Sequence, residues 1–188
     1  MDCLDIISEY YEQGTVLYEI LIQHGENVAK KALDTAKNVS HLNPDLDFIQ
    51  HAAMLHDIGI FLTNMPKLGC TGKHPYICHG YLGRNLLENK GMPELALVCE
   101  RHVGVGITPE DIRHYNLPLP ERNMEPVSIE EQIICYADKF YSKNNDFIAK
   151  EKSVEDIKLL LEQYGHDKVM KFQSWVDMFE GGSGVKAV

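Results

Sequence analysis

This 188-residue chain is short of several things, and each shortage excludes a class of protein. No stretch approaches the roughly 20 consecutive apolar residues that cross a bilayer; even Val16 to Ile22 is interrupted by Glu19, so no membrane association is expected. Positive charge is scarce: 18 basic residues stand against 28 acidic ones, a net charge of -10. That balance opposes non-specific attraction to a nucleic acid polymer or an anionic membrane, so a phosphate ligand would have to be drawn in locally. The five cysteines, Cys3, Cys70, Cys78, Cys99 and Cys135, are odd in number and include no C-x-x-C pair, and the start Met1-Asp2-Cys3 has no signal-peptide pattern. A reducing cytoplasm without disulfides is expected. Alternating runs of Val, Ile and Thr are missing too, and with them the period of a β-sheet.

Apolar residues instead recur at three- and four-residue spacing across most segments, which predicts an all-α fold. The length suits a single domain over residues 1–180, with a core at about 14–143, a helical extension at 150–180 and a flexible tail at 181–188 that opens Gly181-Gly182-Ser183-Gly184. Asn43-Pro44-Asp45 reads as the start of a helix that Gly59 can close, and Ser128-Ile129-Glu130-Glu131 as a capping box. Two stretches rich in Gly and Pro, 61–75 and 104–126, read as long loops of the kind that line sites. Ser153-Val154-Glu155-Asp156 caps a helix expected to run to Tyr164, and Val169, Phe172, Val176 and Phe179 repeat at helical spacing. A closing helix pair is expected, packed on the domain or on a second copy in a homodimer.

Polar residues of one chemical kind fall on the apolar faces of these helices. Ile49, Ala52 and Ala53 continue, at helical spacing, to His56 and Asp57. His24 follows Leu17 and Leu21 and precedes Val28, although Gly25 is a point where that helix could break. His79 begins the set His79, Leu82, Gly83, Leu86; His102 follows Leu95 and Val98; Asp138 lies between Ile134 and Tyr141. A lone histidine on such a face is ordinarily a core residue bonded to a carbonyl. Two inward aspartates are harder to accommodate, because a buried unpaired carboxylate costs several kcal/mol. A divalent cation satisfies all six side chains at once.

The order His24, His56-Asp57, Asp138, with Ile58-Gly59 completing an HDIG sequence, resembles the signature of the HD superfamily of metal-dependent phosphohydrolases. The resemblance runs from about Gly14 to Lys143. The segments Glu100 to Thr108, Glu130 to Ile134 and Ala137-Asp138-Lys139 are similar to a small HDIG-domain family of archaea and bacteria. It implies a bundle of about five core helices with the site between them. His24, His56, Asp57 and Asp138 would hold one divalent ion (Fe, Mn, Co, Ni, Zn or Mg), and either His79 and His102 hold a second, with Asp57 as the bridge and the residue on which catalysis depends, or a single ion is bound and His79 and His102 orient water or substrate. A water activated there would attack phosphorus in a small phosphorylated substrate.

Departures from other branches narrow that substrate. Cyclic-dinucleotide phosphodiesterases carry HDIGK and a Gly-Tyr-Pro motif, whereas Ile60 follows Gly59 and Leu82 follows Gly80-Tyr81. Alarmone hydrolases carry an acidic pair after the dipeptide, whereas this chain continues Ile60-Phe61-Leu62. Hydrolysis of a phosphomonoester, a nucleotide or a dinucleoside polyphosphate remains. The alternative is an inactive module that binds metal and ligand as a regulator. Lys73, Arg101 and Lys139 are candidates to hold the phosphate. Cys70, His74 and Cys78 imitate a zinc site, but Gly72 and Pro75 break the helix their spacing would require.

Overall fold

Capping side chains set most of the helix starts. Asp2 accepts from the Leu4 N–H to open α1 (Cys3–Ser8), Thr15 from Tyr18 to open α2 (Val16–Asn38), and Asp45 from Phe48 to open α3 (Leu46–Leu55). Four helices follow: α4 (His79–Asn89), α5 (Pro93–Arg101), α6 (Pro109–His114) and α7 (Ile129–Asp138). Then come α8 (Val154–Glu162) and α9 (His166–Glu180). These elements belong to a computed structural model that describes residues 2–143 and 151–181. Among the described residues the only sheet is a two-stranded antiparallel ribbon, β1 (Asn64–Met65) with β2 (Cys70–Thr71), so the all-α reading holds. Among the described residues no helix is long and apolar enough to cross a membrane.

Several local expectations need correction. Gly25 does not break α2; a Cβ there would lie 3.3 Å from the Met54 Cα, so its bareness lets α3 pass close. Gly59 does not close α3, which ends at Leu55; a Cβ on Gly59 would meet the His79 carbonyl at 2.3 Å and the Gly83 nitrogen at 2.5 Å. Its role is close approach to α4. Pro44 precedes the capping Asp45 instead of following it. The 104–126 stretch is not all loop, because Thr108 and Asp111 form a reciprocal capping box that starts α6. At α7 the Ser128 hydroxyl accepts from the Glu131 N–H, but the Glu131 carboxylate turns to Arg101 and the Val127 N–H, so the box is half made.

Two apolar cores meet along α2 and α3. One gathers Val28, Ala32, Ile49, Ala53, Ile134 and Tyr136 with Phe172 and Phe179; the other gathers Ile7, Leu21, Leu55, Ile58, Leu87 and Cys99. Fully burying such side chains stabilises by about 1.5–3 kcal/mol each, which fixes the helices against one another. The closing pair α8 and α9 packs on this same chain: Phe172 stacks on Tyr136 with ring centroids 5.5 Å apart, and the Trp175 Nε1–H donates to Gln132 at 3.1 Å. Lys168 reaches Asp111 at 2.6 Å and Lys171 reaches Glu125 at 2.7 Å. The tail expected at 181–188 lies outside the described residues apart from Gly181.

Candidate metal centre

The two cores leave a polar knot at their junction. His24 projects from α2 between Leu21 of one core and Val28 of the other, and His56 and Asp57 form the turn directly after α3. His79 is the first residue of α4, His102 caps the end of α5, and Asp138 is the last residue of α7. Every one of these six side chains is buried. The first four-residue group comprises His24, His56, Asp57 and Asp138, and the second comprises Asp57, His79 and His102; within each, one potential ligand atom per residue lies within 4.8 Å of the others.

Asp57 divides its carboxylate between the groups. Its Oδ2 lies 3.1 Å from His56 Nε2 and 3.3 Å from His24 Nε2, while Oδ1 lies 3.3 Å from His79 Nε2 and 3.4 Å from His102 Nε2. Asp138 Oδ1 is 2.9 Å from His24 Nε2. Three of the four imidazoles are oriented the same way. His56, His79 and His102 each set Nδ1 against the carbonyl three residues earlier, Ala53 at 2.6 Å, Tyr76 at 2.7 Å and Cys99 at 2.8 Å. An N–H donated there leaves the Nε2 lone pair facing the centre, the arrangement by which proteins prepare imidazoles for a metal.

Charge sharpens the same point. Burial drives the His79 imidazolium down to about 3 and, with help from Lys143, His24 to about 4; it lowers His102 as well. Burial also works against a charged His56, but Asp57 and Asp138 outweigh it and hold its pKa at about 9. Both carboxylates stay well below the usual range despite burial, Asp57 through His56 and Lys143, Asp138 through Lys139 and Lys143. Lys139 and Lys143 thus lie against the two buried anions. Lys143 Nζ sits 2.7 Å from Asp57 Oδ2 and 4.0 Å from Asp138 Oδ1, a positive charge at the mouth of the knot. That contact lacks hydrogen-bonding geometry, and both Asp57 oxygens and His24 Nδ1 have no hydrogen-bond partner although they are buried. Nitrogen and oxygen donors that converge, carry two negative charges and are left unsatisfied fit a borderline divalent cation.

The candidates for holding phosphate are placed unequally. Lys139 is at the knot, its Nζ 2.8 Å from Asp138 Oδ2. Arg101 is not turned to it, since Nη1 donates to both Glu131 oxygens, at 2.8 and 3.0 Å. Lys73 is exposed on the loop before α4 and does not line the cavity beside Asp138. Lys143 was missed by the sequence reading, because it lies beyond the end of α7, where helical spacing gives no direction. Tyr76 lies over His79 with ring centroids 4.7 Å apart. Cys70, His74 and Cys78 form no ligand group among the described residues: both cysteines are buried and free, and His74 is exposed.

The HD domain family model matches residues 21–142, which include all six side chains of the knot. Over 142 residues the chain is 30% identical to "Uncharacterized protein MJ0778" of Methanocaldococcus jannaschii, covering 74% of this chain and 73% of that protein. It is 31% identical over 141 residues to a protein of Thermoplasma volcanium named tRNA (cytidine(56)-2'-O)-methyltransferase, covering 74% of this chain but 36% of that one. A Picrophilus torridus protein of the same name is 28% identical over 160 residues, with 82% of this chain and 40% of that one covered. The chain therefore spans well under half the length of those two relatives. Among solved structures, the HD domain of the Listeria monocytogenes phosphodiesterase PgpH superposes with a TM-score of 0.50 at 14% identity, covering 91% of this chain and 99% of that one. That likeness is one of fold.

Proposed function

The chain belongs to the HD-domain family, and on that premise we propose that it is a metal-dependent phosphohydrolase that cleaves a phosphate ester or anhydride of a small metabolite or nucleotide. The observation that carries this reading is the split carboxylate of Asp57, with one oxygen toward His24 and His56 and the other toward His79 and His102. His24, His56, Asp57 and Asp138 would hold one ion, and Asp57, His79 and His102 a second. A pair of divalent ions there supplies Lewis acidity, which lowers the pKa of a water and neutralises phosphoryl oxygens.

The remaining work falls to the chain itself. The carbonyls of Ala53, Tyr76 and Cys99 keep three imidazoles in the tautomer that presents Nε2 inward. The apolar walls exclude bulk water and strengthen every charge interaction inside. Lys139 and Lys143 place two ammonium groups beside Asp138 and Asp57, where a phosphate would approach.

The test has two parts. Elemental analysis of protein purified without chelator is expected to find one or two divalent ions per chain. Phosphomonoesters, nucleotides and dinucleotides assayed with Mn, Fe, Co, Ni, Zn and Mg are expected to give turnover with at least one combination. Bound metal with no turnover on any substrate would leave the inactive ligand-binding module instead.

A further inference from the structure

The family match ends at residue 142, yet the wall facing the knot continues past it. A cavity of about 420 Å³ opens beside Asp138 and is bounded by Tyr76 on one side and by Ile157, Leu160 and Leu161 of α8 on another. That volume is within the range of roughly 300–1,000 Å³ usual for small-molecule sites. Among the described residues four lysines line it, Lys67, Lys139, Lys143 and Lys152, against the single carboxylate of Asp138. In a chain of net charge -10 this is a local inversion of sign. The ammonium groups are linked: Lys152 Nζ donates to the Lys139 carbonyl at 3.1 Å, and Lys139 Nζ contacts Asp138 at 2.8 Å. Burial lowers the Lys152 pKa, with Lys139 and Lys143 adding to the effect and Asp138 opposing it. The floor is of the opposite character. Leu160 is 49% exposed although it stands next to Leu161, which is buried, so an apolar surface is offered at the cavity.

We propose that this cavity is the subsite for the organic part and outer charge of the substrate: a phosphate compound whose anion lies among Lys139, Lys143 and Lys152 and whose apolar or aromatic portion lies on Leu160 and Leu161. Selectivity then comes from α8, outside the segment that carries the knot. The inference rests on the phosphohydrolase reading for the word substrate, but the cavity itself is testable without turnover. Sugar and polyol phosphates would use the lysines and leave the leucines wet. Aromatic phosphates and nucleotides would use both.

Calorimetric titration of the chelator-treated full chain with inorganic phosphate, glycerol phosphate and phenyl phosphate separates these contributions. All three are expected to bind, phenyl phosphate about tenfold more tightly because its ring removes apolar surface from water. Lys152→Met is expected to weaken all three by about tenfold, the scale of one charge-assisted contact. Leu160→Ser is expected to weaken phenyl phosphate alone; because Leu160 is half exposed, unchanged melting would show the fold intact. The proposal is overturned if phenyl phosphate binds no more tightly than inorganic phosphate, or if neither substitution changes any Kd. Binding that follows this pattern without hydrolysis under any metal supports the cavity and ends the enzymatic reading. Hydrolysis whose KM ignores both substitutions does the reverse.

Discussion

His79 and His102 face each other Nε2 to Nε2 at 3.1 Å, each with Nδ1 already committed to a backbone carbonyl. Two lone pairs at that distance repel, and burial keeps both rings neutral, so the contact is favourable only with a cation between or beside them.

From that contact comes the first prediction. His102→Ala should lower the metal content by one ion per chain while the group around His24, His56 and Asp138 keeps its own. Turnover should fall by about 100-fold or more, since even outer-shell changes cost 10–100-fold. Metal analysis alongside activity checks this; unchanged stoichiometry would remove the second site.

Asp57 touches both groups, so its loss should be indivisible. Asp57→Ala is expected to abolish binding of both ions together with turnover, and metal analysis after dialysis reads it directly. Asp57→Asn, which keeps the shape and removes the charge, should do nearly the same, because charge balance and not volume is what Asp57 contributes. Retained activity in either variant would defeat the assigned role.

The metal-free protein should have a stability maximum near neutral pH, set by its buried histidines. His24 and His79, with pKa values depressed to about 4 and about 3, contribute stability that is present above their unfolded value near 6.5 and lost as pH falls toward those numbers. His56, raised to about 9, contributes stability that is fully present below about 6.5 and lost as pH rises through 9. Melting temperatures of chelator-treated protein should therefore peak around pH 6.5 and decline on both sides. A flat profile from pH 5 to 9 would contradict the charge assignment.

Arg101 illustrates where reading from sequence stopped. The six side chains of the knot were legible because each falls at the apolar spacing of a helix or of the turn that continues it, where a buried polar group needs a reason. Of the lysines beside it, Lys139 was anticipated, whereas Lys67, Lys143 and Lys152 were not. Arg101 and Lys139 are both neighbours of knot residues in sequence, yet Arg101 points to Glu131 and Lys139 to Asp138, a choice made by how α5 packs on α7. Lys143 lies beyond the end of α7 and Lys152 just before the cap of α8, so no helical period aims them. By contrast α6 left a signal that went unread, since Thr108-Pro109-Glu110-Asp111 is a capping sequence in its own right. Arg101→Ala should consequently act on stability, leaving the buried Glu131 carboxylate without its guanidinium at a cost of about 1–3 kcal/mol. Denaturant titration compared with KM distinguishes this from a lost phosphate contact.

Gly59 ties the fold to the chemistry most tightly. Its backbone runs so close to the start of α4 that any Cβ would fall 2.3 Å from the His79 carbonyl, a backbone atom that cannot swing aside. Gly59→Ala must therefore push α4 away from the turn that carries His56 and Asp57. Overpacking of a dense core typically costs about 1–3 kcal/mol, and a clash between two backbones belongs at the upper end. The displacement also carries His79 Nε2 away from Asp57 Oδ1, now 3.3 Å apart, so the second ion should be lost before the first. The expected result is a folded protein of lower melting temperature that binds one ion where the parent binds two. Two ions in Gly59→Ala with an unaltered melting temperature would show that the HDIG glycine does not set the distance between α4 and the bridging carboxylate.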